Sequence, residues 1–195
     1  MLDNFEKKES ELRELKEKYD LKFLELSECY NKQVVKYEYS KGGLEFYRGI
    51  YTTSLYWQNS NPQKLGRKCT SNAQYDYMYG FNADNKLIYT QKGNREKEYI
   101  LYQNNKEISL VYDIYTLGLS RLSVSYYYNE KLISIYCGYV RSNGMLGFTG
   151  ELYSYDNELS KITLVTKECN YHKRFVYVYD VIDNNKIIFN SQYVV

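Results

Sequence analysis

Cys169 and His172 are the first residues to weigh for chemistry, because a thiol three positions before the single histidine, in Cys169-Asn170-Tyr171-His172, has the makings of a nucleophile and its base. Such a pair works only when both side chains meet at one point and a third group orients the base. On a strand or loop, positions i and i+3 fall on opposite faces as often as on the same one, so a solvated histidine ahead of Lys173-Arg174 is the better reading. Metal-ligand spacing is missing too: Cys29, Cys69, Cys137 and Cys169 lie 40, 68 and 32 positions apart. Asp76, Asp84, Asp113, Asp156, Asp180 and Asp183 stand in or beside turn-forming stretches, where turn formation explains them without acid/base work. Whether any two stand at a glycosidase spacing is a matter of three-dimensional separation. Gly144-x-x-Gly147-x-x-Gly150 lacks the following helix that gives a phosphate loop its dipole, and it reads as a turn and a bulge before a strand at 151–155. P-loop, HExxH and GxSxG patterns are absent. The sequence therefore predicts no catalytic residue, no metal site and no cofactor, and leans towards binding over catalysis.

The residue type with the greatest binding capacity is tyrosine, present 26 times against 7 Phe and 1 Trp. Near Arg48, Arg67, Lys68, Arg121, Arg141, Lys173 and Arg174, such rings can stack on bases or sugars. The plainer reading is that Tyr suits half-buried strands, since its ring packs while its hydroxyl seeks water or a partner.

What must position these residues follows from periodicity. One long helix is predicted over 3–30, with Asp3 as N-cap and Glu6 three positions on. Leu12, Leu15, Tyr19, Phe23, Leu26 and Tyr30 form its apolar stripe, and Glu9 to Arg13 and Glu14 to Lys18 are spaced for i, i+4 pairs. That stripe must bury itself, on a sheet of the same chain or, as the alternative, on a second copy in a homodimer. Residues 1–30 carry 9 acidic and 6 basic side chains, a charge of −3 within a chain of +2. Neither sign is dense enough for a nonspecific nucleic-acid binder or an acidic nucleic-acid mimic.

From Val34 the period becomes 2 and stays so. Residues 34–47 suggest a first hairpin turning at Lys41-Gly42-Gly43, and 57–70, holding the only proline, suggest the longest loop. A unit then repeats: aromatic alternation, an Asn/Asp turn, often Lys, then aliphatic alternation. Asn85, Asn105, Asn129, Asn157 and Asn184 mark its turns at intervals of 20, 24, 28 and 27 residues, giving five hairpins. Asn143-Gly144 carries a type I′ signal between units.

Tyr153-Ser154-Tyr155-Asp156-Asn157-Glu158-Leu159-Ser160-Lys161-Ile162 and Tyr126 through Ile135 resemble the YD repeats of bacterial toxin shells and the MORN-like hairpin repeats of antitoxin-type proteins, over roughly residues 75–190. The turn glycine usual in those repeats is replaced by Glu130, Glu158 or Asn185. The resemblance implies a curved antiparallel sheet used for binding. By analogy of type, a sheet-rich chain of this size also looks like the immunity proteins that accompany polymorphic toxins.

The expected fold is thus a single mainly β domain of 195 residues, an antiparallel meander of successive hairpins in a curved, rolled or two-layer sheet, with one long N-terminal amphipathic helix. Nothing at Met1-Leu2-Asp3-Asn4-Phe5-Glu6 resembles a signal peptide and no apolar run approaches 18 residues, so the expected compartment is a reducing cytosol, with free and mostly buried thiols and no membrane. The expected function is neutralisation of a cognate protein toxin, with Tyr127, Tyr128, Tyr153, Tyr155, Tyr177 and Tyr179 as candidate partner-binding surface. The alternative is a carbohydrate- or nucleic-acid-binding β module using stacked tyrosines.

Overall fold

The computed structural model describes residues 2–43, 47, 54–56, 66–70, 74–156, 158–167, 173–182 and 186–194. Among them, two helices, α1 (Leu2–Tyr19) and α2 (Phe23–Gln33), precede twelve strands. The strands are β1 (Lys36–Lys41), β2 (Arg67–Cys69), β3 (Tyr77–Phe81), β4 (Leu87–Lys92), β5 (Glu96–Gln103), β6 (Lys106–Asp113), β7 (Leu119–Tyr128), β8 (Lys131–Val140), β9 (Leu146–Asp156), β10 (Glu158–Lys167), β11 (Phe175–Ile182) and β12 (Lys186–Val194). All lie in one antiparallel sheet, a meander from β3 to β12, with β1 beside β3 and β2 outside β1.

The five expected hairpins are the pairs β3–β4, β5–β6, β7–β8, β9–β10 and β11–β12. Asn85 and Asn129 take positive φ of 57° and 47°, which Asn tolerates and most side chains do not; in the β5–β6 turn the positive φ, 50°, falls on Asn104 and not on the expected marker Asn105. Asn157 and Asn184 lie outside the described residues. The Asn143-Gly144 turn has another geometry: Gly144 alone is at positive φ, and its N–H donates to the Arg141 carbonyl at 2.8 Å, which makes a type I turn closed by a glycine bulge. Gly147 and Gly150 form no bulge before a strand at 151, because β9 already begins at Leu146 and pairs in unbroken register with β8. The first hairpin expected over 34–47 is also replaced. The neighbours of β1 are β3 and β2, both distant in sequence, while 44–46 lie outside the described residues along with 57–65.

The predicted single helix is two. The helix already includes Leu2, so it begins ahead of Asp3, and the rod breaks at Asp20-Leu21-Lys22 before continuing to Gln33. The break closes with a tight Lys22 N–H to Tyr19 carbonyl bond of 3.1 Å, and the Tyr112 hydroxyl of β6 donates to the same carbonyl at 2.6 Å. A straight rod of 28 residues would diverge from a twisted sheet. The bend lets Phe23 pack edge-on against Tyr99 and Tyr112, with centroids 6.2 and 5.6 Å away.

Register explains which face receives the helices. Cross-strand rows Tyr99, Leu110, Leu122, Gly138, Phe148 and Ile108, Val124, Tyr136, Gly150, Val165, Val176 align on one face. Against them lie Phe5, Leu12, Phe23, Leu26 and Tyr30, all buried, each contributing roughly 1.5–3 kcal/mol. The apolar stripe is therefore satisfied within the same chain. Charge supplements it: Glu9 meets Lys167 at 2.8 Å and Arg13 at 2.7 Å, and Glu11 meets Lys106 at 2.7 Å, Lys8 at 3.0 Å and the Tyr126 hydroxyl. The acidic bias of the first thirty residues is thereby matched to bases of the sheet. Of the other expected pair, Glu14 takes a 3.5 Å bond from Ser10 Oγ.

Candidate functional site

The face opposite the helices is built from the intervening positions. One row runs Ser109, Ser123, Cys137, Thr149, Thr166, Phe175, and the next Glu107, Ser125, Ile135, Glu151, Leu164, Tyr177. This face is polar towards β5–β7 and aromatic towards β10–β12. Glu98 shows how its buried carboxylates are held: Thr90 Oγ1 donates to it at 2.9 Å and Ser109 Oγ at 2.5 Å.

The segment 54–56 is fastened to this face over the second apolar cluster, Leu132, Ile135, Cys137, Tyr153 and Ile162. Glu151 is the fastening point. Its carboxyl accepts from Ser54 Oγ at 2.6 Å, the Tyr56 N–H at 3.1 Å and the Tyr153 hydroxyl at 2.5 Å, while that hydroxyl accepts the Leu55 N–H at 3.1 Å. Burial raises the Glu151 pKa above its ordinary value, against the pull of these donors. Burial, with the neighbouring Glu151 charge, also pushes the Cys137 thiol up to about 12, so it stays protonated and is not a nucleophile.

The six tyrosines singled out by sequence divide on this geometry. Tyr127, Tyr155 and Tyr179 pack half-buried around the same cluster, and Tyr177 stands in the row beyond Leu164 on the same face. Tyr155 donates to the Leu132 carbonyl at 2.6 Å, and Tyr179 lies against Tyr56 with centroids 5.0 Å apart and against Phe189 at 5.9 Å. Tyr153 is not surface: it is 7% exposed, because the 54–56 segment covers it and its hydroxyl is committed to Glu151. Tyr128 stands apart at the β7–β8 turn, 68% exposed.

Beside Tyr177 lies an open groove of about 490 Å³. Its floor is made of small residues, Gly147, Thr149 and Thr166; Tyr139, paired across from Gly147, forms one wall, and Phe175 and Tyr177 the other. Arg141, exposed in the β8–β9 turn, sits at the rim and makes no ion pair among the described residues. Volumes of 300–1,000 Å³ are typical of small-ligand sites.

The Cys169–His172 pair falls in 168–172, outside the described residues. The other three cysteines are free, yet only Cys137 is buried, Cys29 being exposed on α2 and Cys69 half-buried on β2. Among the turn carboxylates, Asp113 accepts from the N–H groups of Tyr115 and Thr116 at 3.0 and 2.8 Å, as turn formation predicts. Asp180 differs, lying within β11 opposite Ile188, and Asp183 is outside the described residues. Sequence reasoning missed Glu98, Glu107 and Glu151, whose signal is a carboxylate at an inward position of an apolar strand. No group of three or more metal-binding side chains converges among the described residues, and no helix there is long and apolar enough to cross a membrane. No known protein-family model matches the chain, and no curated protein matches it.

Proposed function

We propose that the chain is a non-catalytic binding protein of the immunity or antitoxin type, acting in the cytosol to neutralise a cognate bacterial toxin by rigid protein–protein contact. The observation that carries this reading is the gathering of Tyr139, Phe175, Tyr177, Tyr179 and Arg141 on the β8–β12 part of the face opposite the helices. Tyrosine, phenylalanine and arginine are the side chains that interfaces enrich, and a few such anchors usually carry most of the binding energy. A sheet surface is also stiff, so little entropy is lost when it docks. Co-expression with the product of the adjacent gene tests it. The expected result is a stable complex that a Tyr177→Ala/Tyr179→Ala variant weakens roughly tenfold or more, with an unchanged circular dichroism spectrum. A chain that binds no neighbour and protects no cell from it sinks the reading.

The groove favours a second reading, a carbohydrate- or nucleic-acid-binding module. Its small-residue floor leaves room for a ring between aromatic walls, with Arg141 placed for an anionic group. Retention on a glycan array or on RNA, lost in Arg141→Ala, is the expected outcome under this reading. Clean failure on both removes it.

A further inference from the structure

The described sheet has two edges, and they differ. At one end β2 is three residues long and begins Arg67-Lys68; at the other β12 runs for nine residues, and after Lys186 it carries no charge through Val194. Ile187 is half-buried against the second apolar cluster, but much of the strand's apolar surface is open among the described residues: Ile188 is 48% exposed and Phe189 55%, with Tyr193 and Val194 close to half exposed. Edge strands are ordinarily protected by being short, charged or proline-bearing, and the stretch 187–189 has none of these protections.

Register within β12 shows what fits that edge. Ile187, Ile188 and Phe189 pair in regular order with Val181, Asp180 and Tyr179, and the register then shifts, Val178 pairing with Ser191. The regular part is therefore 186–189, with Ile187 and Phe189 on the face of Tyr179 and Ile188 on the other. If an identical strand runs antiparallel alongside, with a two-fold axis through Ile188, Ile188 faces its own copy. Ile187 then faces Phe189 of the second chain on the tyrosine face, and Lys186 falls opposite Asn190. Every apolar side chain meets an apolar one on its own face, and no like charges are opposed. β2 offers no such match, being short and basic, so the closed two-fold pairing is favoured over a head-to-tail fibre.

We infer that two copies of this chain associate through β12, strand against antiparallel strand about a two-fold axis at Ile188, to form one continuous sheet. The association does not depend on the proposed partner or ligand, and it uses the sheet edge, not the α1–α2 stripe already buried in the chain.

Sedimentation of the isolated chain over a range of concentrations is the first test. The mass is expected to rise from 23.4 kDa towards twice that value, and Ile188→Lys, a change at an exposed position, is expected to hold it at 23.4 kDa without altering the circular dichroism spectrum. The second test fixes the register. An antiparallel dyad places the two residue-188 Cα atoms about 4.5–5.5 Å apart, within disulfide reach, so Ile188→Cys should give an oxidised dimer. Ile182→Cys, at a similarly exposed site on β11, and the unaltered chain with its Cys29 and Cys69 should not. A single 23.4 kDa species up to the limit of solubility overturns the proposal. So does a dimer indifferent to Ile188→Lys, or equal cross-linking through residues 182 and 188.

Discussion

Gly150→Val is expected to destabilise the protein by about 2–3 kcal/mol and to loosen α1 from the sheet. Gly150 stands in the helix-side row between Tyr136 and Val165, and a Cβ there would lie 2.8 Å from Tyr136 Cδ1 and 3.0 Å from Phe5 Cε1. Neither ring has an easy retreat. Tyr136 is stacked on Phe148 at 6.1 Å and edge-on to Tyr126 at 5.9 Å, while Phe5 is wedged against Tyr136 and Phe148 at 5.7 and 6.4 Å. The bare glycine is what allows Phe5 to seat, and Phe5 anchors the first turns of α1. Urea titration should show a lower midpoint, and amide exchange should accelerate first in α1. Gly118→Ala is the control: its Cβ would meet only Thr116 Oγ1, at 3.4 Å, so a change within about 0.5 kcal/mol is expected. Combining Gly150→Ala with Phe5→Ala should cost less than the sum of the two, because removing the ring vacates the space the methyl needs. Strict additivity would mean that Gly150 is not the seat of Phe5.

The contrast between what the sequence states and what it conceals follows the range of the interactions involved. The five hairpins were legible because each is encoded locally, by an alternating strand, an Asn such as Asn85 or Asn129 able to take positive φ, and a second alternating strand. The helix break was not. Leu15, Tyr19, Phe23, Leu26 and Tyr30 keep their spacing through Asp20-Leu21-Lys22, so no local signal marks the bend; a hydroxyl from Tyr112, 93 positions away, completes it. The neighbours of β1 were hidden for the same reason, since β2 and β3 arrive only after a long excursion. For the candidate surface, alternation along Tyr153 to Tyr155 separated the faces but could not tell which tyrosine is covered. Tyr153 is buried by Leu55 and Tyr56, almost a hundred residues earlier, while Tyr177 and Tyr179 are half-buried beside them.

Glu151 should be the most costly single carboxylate to remove. Glu151→Ala would leave Ser54 Oγ, the Tyr56 N–H and the Tyr153 hydroxyl without their acceptor at a buried site, at about 3 kcal/mol in total. It should also free residues 54–56, so that protease cleavage there precedes global unfolding. The pH dependence separates this carboxyl from those of the helix. Because burial raises its folded pKa above the unfolded value, the native state holds the Glu151 proton more tightly. Its contribution is thus complete below about pH 4.5, the unfolded value, and is lost as pH rises through the raised pKa. Glu11 runs the other way. Burial alone would raise it, but hydrogen bonds from Lys106, Tyr126 and Lys8 outweigh burial and hold it at about 2, so its contribution is present above the unfolded value and disappears as pH falls towards 2. Urea midpoints should therefore rise as pH is lowered from neutral towards about 4.5 and fall steeply below it. Glu151→Gln should flatten the first limb and leave the second, and Glu11→Gln should leave the first and lessen the second, which Glu11 shares with Glu9 and Glu38. If Glu151→Gln left the limb above pH 4.5 unchanged, a group other than Glu151 would govern it, and the carboxyl that fastens 54–56 would be ionised throughout that range.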